Sequence, residues 1–201
     1  MQNSNKRLPA NERREVIIET VLQLAGLHNP SEITTYAIAT QMQLSQGALF
    51  RHFATKDAIW QAVMESVSDR LLSQINHVSK TTEEPLAALR AIFMTHLEFA
   101  IDRPGIPRIL FGELQKADAT AAKQIAQTML KQYALLIGTR IEQGKALGTV
   151  SPEVDTKAAT TLFIGTIQGL IMQSLLSGDL LRIRSDAPEV FTIYTRGIRS
   201  R

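Results

Sequence analysis

The sequence predicts an all-α protein of about nine helices, and three observations carry that expectation. Apolar residues recur at three- and four-residue spacing through most of the chain. No stretch alternates polar and apolar residues as a strand for more than a few positions. Aromatic residues make up only 5% of the 201, whereas Ala and Leu are frequent, a bias toward helix. With 44% hydrophobic residues the chain can bury a sizeable core in one or two domains.

Taken in order, residues 1–10 read as a disordered basic arm. Lys6 and Arg7, with Arg13 and Arg14 just beyond it, can lie along a phosphate backbone. A helix then begins at Asn11, which serves as its cap, with Glu12 and Glu15 complementing the helix dipole. Ile17, Val21 and Leu24 form one apolar stripe and Ile18, Leu22 and Ala25 the next. The helix ends near His28, Asn29 and Pro30.

Residues 34–56, TTYAIATQMQLSQGALFRHFATK, read as two short helices joined by a tight turn. Thr34 and Thr35 cap the first, whose Ile38, Ala39 and Met42 point inward. Leu44 plugs the turn, and Ser45 can accept from the orphan amides of the second helix, Gln46 to Phe53. Leu49 and Phe53 return to the core. That leaves Gln46, Gly47, Ala48, Phe50, Arg51 and His52 outward or sideways, a mixture of small, amide, cationic and imidazole groups suited to base edges and phosphates.

This stretch resembles the DNA-binding head of the TetR family of bacterial one-component regulators. The resemblance rests on Thr34, Ile38 with Ala39, Leu44 with Ser45, then Gly47, Leu49, Phe50, Phe53 and Lys56. The departures are Gln43 where the family has Gly, which asks a side chain to enter the left-handed region, and Ala48, Phe50 and His52 in place of Thr, Tyr and another aromatic. The resemblance implies a helix-turn-helix DNA-binding domain over residues 11–55. It implies DNA contacts from Thr34, Thr35, Ser45, Gln46, Gly47, Ala48, Phe50, Arg51, His52 and Lys56. It further implies a ligand-binding and dimerisation domain over residues 56–201.

Thr55 caps a fourth helix of about twenty-two residues, along which Ile59, Val63, Val67, Leu71, Ile75 and Val78 keep the helical period. Thr81 to Pro85 is the clearest break, with Thr82 as cap and Pro85 in the first turn. The next helix carries Leu89, Ile92, Phe93 and Leu97 and stops at Pro104 and Gly105. A shorter one covers about Ile106 to Lys116, and a long one about Ala119 to Ala146. Asp155 caps a helix that is apolar almost all round until Gly178, so a second subunit is expected to cover the side its own core does not. A last helix spans about Ala187 to Ile198. The dimer contacts expected from this pair are Phe163, Gly165, Gly169, Met172, Leu176, Phe191 and Tyr194.

Phe93, His96, Leu97, Leu110, Phe111, Met129, Tyr133, Phe163 and Ile167 are the candidates for lining a small-molecule cavity, apolar with few polar groups. Arg103, Arg108 and Glu113 are expected on the solvated face. The sequence has no GxSxG, no Gly-rich phosphate loop and no HExxH, so no enzyme is expected. His28, His52, His77 and His96 are scattered, which argues against a metal or other cofactor. Zero cysteines exclude disulfides. The polar, basic start is not a secretory leader, and no run of eighteen uninterrupted apolar residues occurs. The expected setting is the cytoplasm, without a membrane. Net charge is +3 overall, with six Lys and Arg against four Asp and Glu in residues 1–56. The expectation is a homodimeric repressor of a double-stranded DNA operator, released by a small effector. The alternative is an architectural DNA-binding protein of the same fold without ligand control.

Overall fold

The computed structural model describes residues 9–200; Lys6 and Arg7 of the basic arm lie outside them. Among the described residues the chain forms nine α-helices: α1 (Ala10–Leu27), α2 (Thr35–Gln41), α3 (Gln46–Phe50), α4 (Lys56–Thr81), α5 (Pro85–Asp102), α6 (Gly105–Gln115), α7 (Ala121–Ala146), α8 (Thr156–Ser177) and α9 (Ile183–Ile198). Single 3-10 turns cover Pro30–Glu32 and Leu180–Arg182. The only extended pairing among these residues is an isolated antiparallel bridge between Val150 and Arg199. The all-α expectation therefore holds.

Backbone contacts divide the chain into two compact units. One comprises residues up to Ser66 together with Gly105–Ile125, and the other Val67–Pro104 together with Ala126 onward. In the first, α1 buries Ile17, Ile18, Val21, Leu22, Leu24 and Ala25, the two expected stripes. Ile38, Ala39, Leu49, Phe53, Ile59, Trp60 and Val63 complete that core, with Ile106 and Ile109 of α6. Each Val, Leu, Ile or Phe among them contributes about 1.5–3 kcal/mol when fully buried.

The second unit is centred on aromatic rings brought together from four helices. Phe93 of α5 meets Phe163 of α8 edge-on, centroids 5.4 Å apart, and Phe163 meets Tyr194 of α9 at 5.4 Å. Phe191 lies 5.2 Å from Phe93, and Tyr133 of α7 lies 6.4 Å from Phe163. Edge-on pairs add about 0.5–1.5 kcal/mol each beyond their burial. The Tyr194 hydroxyl donates to the Ala159 carbonyl at 3.2 Å. At the other end of the unit, Arg140 Nε donates to Ser79 Oγ at 2.8 Å.

Several element ends differ from expectation. α1 starts at Ala10 without a side-chain cap, so Asn11 lies inside the helix. α4 has 26 residues rather than about twenty-two, continuing to Thr81. The cap of α5 is Glu84, not Thr82: its carboxylate accepts from the amides of Leu86 at 3.0 Å and Ala87 at 2.5 Å. α7 starts two residues late, at Ala121. α9 begins at Ile183 and runs through Pro188, which removes one intrahelical bond but does not end the helix. Asp155 and Gly178 do frame α8: Asp155 Oδ1 accepts from Ala158 N at 2.6 Å, and Gly178 adopts φ +74°.

By length and composition α8 is apolar enough to cross a membrane. Its inner side packs on α5 and α9, whereas Leu162, Gly165, Met172 and Leu176 are exposed on the outer side.

Glu113 is not on the solvated face. It is 4% exposed, receives the Lys116 ammonium, and accepts from Thr120 Oγ1 at 2.9 Å. The turn from α6 into α7 folds over its carboxylate.

Candidate nucleic-acid interface

The interface is assembled from helix ends. Thr34 Oγ1 accepts from Ala37 N at 3.0 Å and opens α2. At the far end Leu44 N bonds to Ala39 O at 2.8 Å and Gln43 N to Thr40 O at 3.0 Å, the paired bonds of a Schellman stop. That stop requires a left-handed residue, and Gln43 supplies it at φ +55°, where glycine would sit without strain. Ser45 Oγ then accepts from Ala48 N at 3.2 Å and starts α3. Thr55 Oγ1 repeats the device for α4, accepting from Ala58 N at 3.1 Å.

α3 is shorter than the sequence suggests, ending at Phe50 rather than Phe53. The amides of His52 and Phe53 both converge on the Leu49 carbonyl, at 3.0 and 3.2 Å, so the chain tightens after Phe50 instead of continuing as helix. Leu49 and Phe53 still face the core, held there by the turn.

Of the residues the sequence singles out, Thr34, Ser45, Gln46, Gly47, Phe50 and Arg51 are exposed, and Thr35, Ala48, His52 and Lys56 are half-buried. Gln46 Nε2 donates to Thr35 Oγ1 at 3.1 Å, tying α3 to α2. Space beside Gly47 is open: a Cβ there would meet nothing nearer than Ser45 Oγ at 3.9 Å. The Lys56 ammonium lies 5.9 Å from the Trp60 ring centroid. Tyr36, which the sequence does not single out, sits on α2 with 66% of its surface exposed. Arg14 faces the α3 end, not open solvent alone, with Nη1 donating to the His52 carbonyl at 2.6 Å.

In the second unit, Phe93, Leu97, Met129, Tyr133, Phe163 and Ile167 are all buried. Leu110 and Phe111 sit on α6 in the other unit. His96 Nδ1 and the Tyr133 hydroxyl are 3.2 Å apart. Burial lowers the imidazole to about 4 and raises the phenol well above its ordinary value, so at neutral pH both are uncharged. Open space lies on the outer side of α8. A groove of about 1070 Å³ runs beside α7, lined by Leu130, Leu135, Ile164, Gly165 and Gln168 among others. A second, of about 780 Å³, runs beside α9 and includes Leu162, Gly169 and Gln173.

Among the expected dimer contacts, Phe163, Phe191 and Tyr194 are interior to the protomer, at 0%, 4% and 4% exposure. Gly165, Met172 and Leu176 are exposed and Gly169 half-buried. Among the described residues no three His, Asp or Glu side chains gather as a metal site.

Comparison with known proteins agrees along the chain. Residues 17–63 match the model of bacterial regulatory proteins of the tetR family, and residues 64–197 that of the YsiA-like protein C-terminal region. The nucleoid occlusion factor SlmA of Shewanella amazonensis is 28% identical over 172 residues, 82% of this chain and 84% of its own. A TetR transcription regulator from Haloarcula marismortui superposes with a TM-score of 0.82 at 18% identity, covering 94% of this chain and all of its own. FadR from Bacillus subtilis, solved with stearoyl-CoA, superposes at 0.78 and 16% identity, covering 92% and 99%. The capped three-helix reader and the helical unit after it thus have matching relatives, and the chain belongs to the tetR family of bacterial regulatory proteins, which are DNA-binding regulators rather than enzymes.

Proposed function

We propose that two copies of this chain form a cytoplasmic homodimer that represses transcription from a palindromic operator and is released by a small, largely apolar molecule. One observation carries the reading: Gln46, Gly47, Phe50 and Arg51 stand exposed together on a capped helix whose opposite side is core. In a dimer, two such helices about 34 to 36 Å apart would enter successive major grooves. Residues 11–55 act as reader and residues 56–201 as the ligand-binding and dimerisation part. Arg51, Gln46 and His52 contact bases or phosphates; Ala48 and Phe50 pack on the groove wall. Thr34, Thr35 and the backbone at Ser45 and Gly47 approach phosphates, and Lys56 fixes register.

The effector is expected near the His96–Tyr133 pair. This is a polar contact inside an otherwise apolar aromatic cluster, the type of group that orients a ligand. The rings Phe93, Phe163 and Tyr133, with Leu97, Met129 and Ile167, would part to admit it. To weaken operator binding a hundredfold the effector needs a differential affinity of about 2.7 kcal/mol between the two states.

A second reading, an architectural protein on many chromosomal sites, is favoured by the SlmA relative, which is called a nucleoid occlusion factor. Mapping the sites occupied in cells separates the two. One or a few promoter sites support the repressor. Many dispersed sites without adjacent regulated genes support the architectural role.

A further inference from the structure

Arg14 joins α1 to the end of α3 by two contacts. Its Nη1 donates to the His52 carbonyl at 2.6 Å, and its guanidinium carbon stands 4.0 Å from the centroid of the Phe53 ring. Both contacts fall where the reader is weakest. A helix of five residues cannot stabilise itself through its own bonds, and the turn that follows it, with the His52 carbonyl two residues past Phe50, takes its donor from α1. A cation at a helix C-terminus complements the dipole, and a charge-assisted bond to a carbonyl is stronger than a neutral one. Phe53 is 2% exposed, so the planar guanidinium closes over the outer face of a ring that belongs to the core. Lysine offers neither the plane nor the fork, and so cannot make both contacts in this geometry.

We propose that Arg14 is a positioning residue for DNA reading: it sets the orientation of the segment from Gln46 to His52 and does not neutralise a phosphate. The proposal rests on the DNA-binding reading above. It reassigns a residue whose place in a basic N-terminal run suggests a phosphate contact. The two roles differ in what lysine can replace. A phosphate accepts a lysine as a point charge, whereas a carbonyl and a ring held together need the arginine plane. They differ also in salt dependence, because each lost phosphate contact lowers the salt slope by about 0.9 and a lost positioning contact leaves it unchanged.

The experiment uses the full chain with Arg14→Lys and Arg14→Ala. Amide hydrogen exchange over residues 46–53 is read on the free protein. Affinity is then read across a salt series for a duplex recovered by selection from a random-sequence pool, and for a scrambled duplex of equal length. Both variants are expected to speed exchange at His52 and Phe53. Both are expected to weaken the selected duplex about tenfold, within the effect of one charge-assisted hydrogen bond, with scrambled-duplex affinity and salt slope unchanged. Restored affinity in Arg14→Lys, or a slope reduced by about 0.9 in Arg14→Ala, makes Arg14 a phosphate contact and overturns the proposal. Unchanged exchange in both variants overturns it as well. If the wild-type chain selects no duplex, the DNA-binding reading itself fails, and with it the purpose assigned to Arg14.

Discussion

Gly105 lies so close to α1 that a Cβ built on it would stand 2.1 Å from the carbonyl oxygen of Leu22 and 3.0 Å from the amide nitrogen of Gly26. Backbone, not a flexible side chain, occupies that space, so α6 would have to move away from α1. Gly105→Ala is expected to destabilise the protein by about 1–3 kcal/mol, the usual cost of overpacking. Urea denaturation measures it; an unchanged midpoint would mean that α6 does not pack on α1 this closely.

Gln43 occupies the left-handed region at φ +55°, a conformation costing about 1 kcal/mol for a residue with a Cβ. Gln43→Gly is expected to raise stability by about 0.5 kcal/mol once the greater freedom of glycine in the unfolded chain is subtracted. Gln43→Val should lower it by more than that. Thermal melts of both variants test the pair, and a stabilised valine variant would refute the strain argument.

Arg51 is exposed at the end of α3, and among the described residues its side chain enters no hydrogen bond or ion pair. Arg51→Ala is expected to weaken binding to a selected operator duplex by about 1–3 kcal/mol while the melting temperature and oligomeric state hold. Affinity equal to wild type in a fluorescence anisotropy titration would remove Arg51 from the reader.

The outer side of α8 should be covered by its counterpart in a second copy. Leu162 and Leu176 are 58% and 80% exposed, and Gly165 lies between them with nothing within 4 Å of its built Cβ. Leu176→Glu combined with Gly165→Glu is expected to give monomers at micromolar concentration in light scattering. A wild-type chain that is itself a stable monomer there would reject the dimer.

His96 predicts a pH dependence. Burial holds its folded pKa at about 4, below the ordinary value of 6.5. As pH falls, the unfolded chain therefore takes up a proton first. Stability present above pH 6.5 is lost progressively down to about pH 4, by about 3 kcal/mol in total. His96→Gln should flatten this part of the profile in denaturation at a series of pH values; an unaltered slope would show that His96 is not buried neutral.

Much of this was legible because caps are local chemistry. Thr34, Ser45, Thr55 and Asp155 each need only an oxygen placed ahead of an apolar run, and each is where such reasoning puts it. Gln43 was legible because it stands where the resemblance puts a glycine, and the Schellman stop found there demands one residue of left-handed backbone. The failures share a different cause. Arg14 and Phe53 are 39 positions apart, and nothing local tells an arginine bound to a carbonyl from one waiting for a phosphate. The sequence places Glu113 with the solvated residues because its partners Lys116 and Thr120 cover it only once the α6–α7 turn has folded. α8 is apolar on every side, so periodicity could not say which face turns inward. Phe163 went to the core, as did Phe191 and Tyr194 of α9, leaving small residues and leucines outside. Glu84 displaced Thr82 as cap because Pro85 sets the first helical residue.

The two compact units exchange the chain three times: between Ser66 and Val67 within α4, between Pro104 and Gly105, and between Ile125 and Ala126 within α7. Two of those crossings have no linker to cut. A fragment ending near residue 66 would keep the reader's motif but lose α6, and with it the backbone that lies against Leu22, leaving part of the α1 apolar stripe in water. For anyone dissecting this protein, the compact unit that carries the reader therefore has no clean genetic boundary: it is encoded in two separated stretches, and a reporter fusion or truncation that respects only the first will handle an incomplete fold.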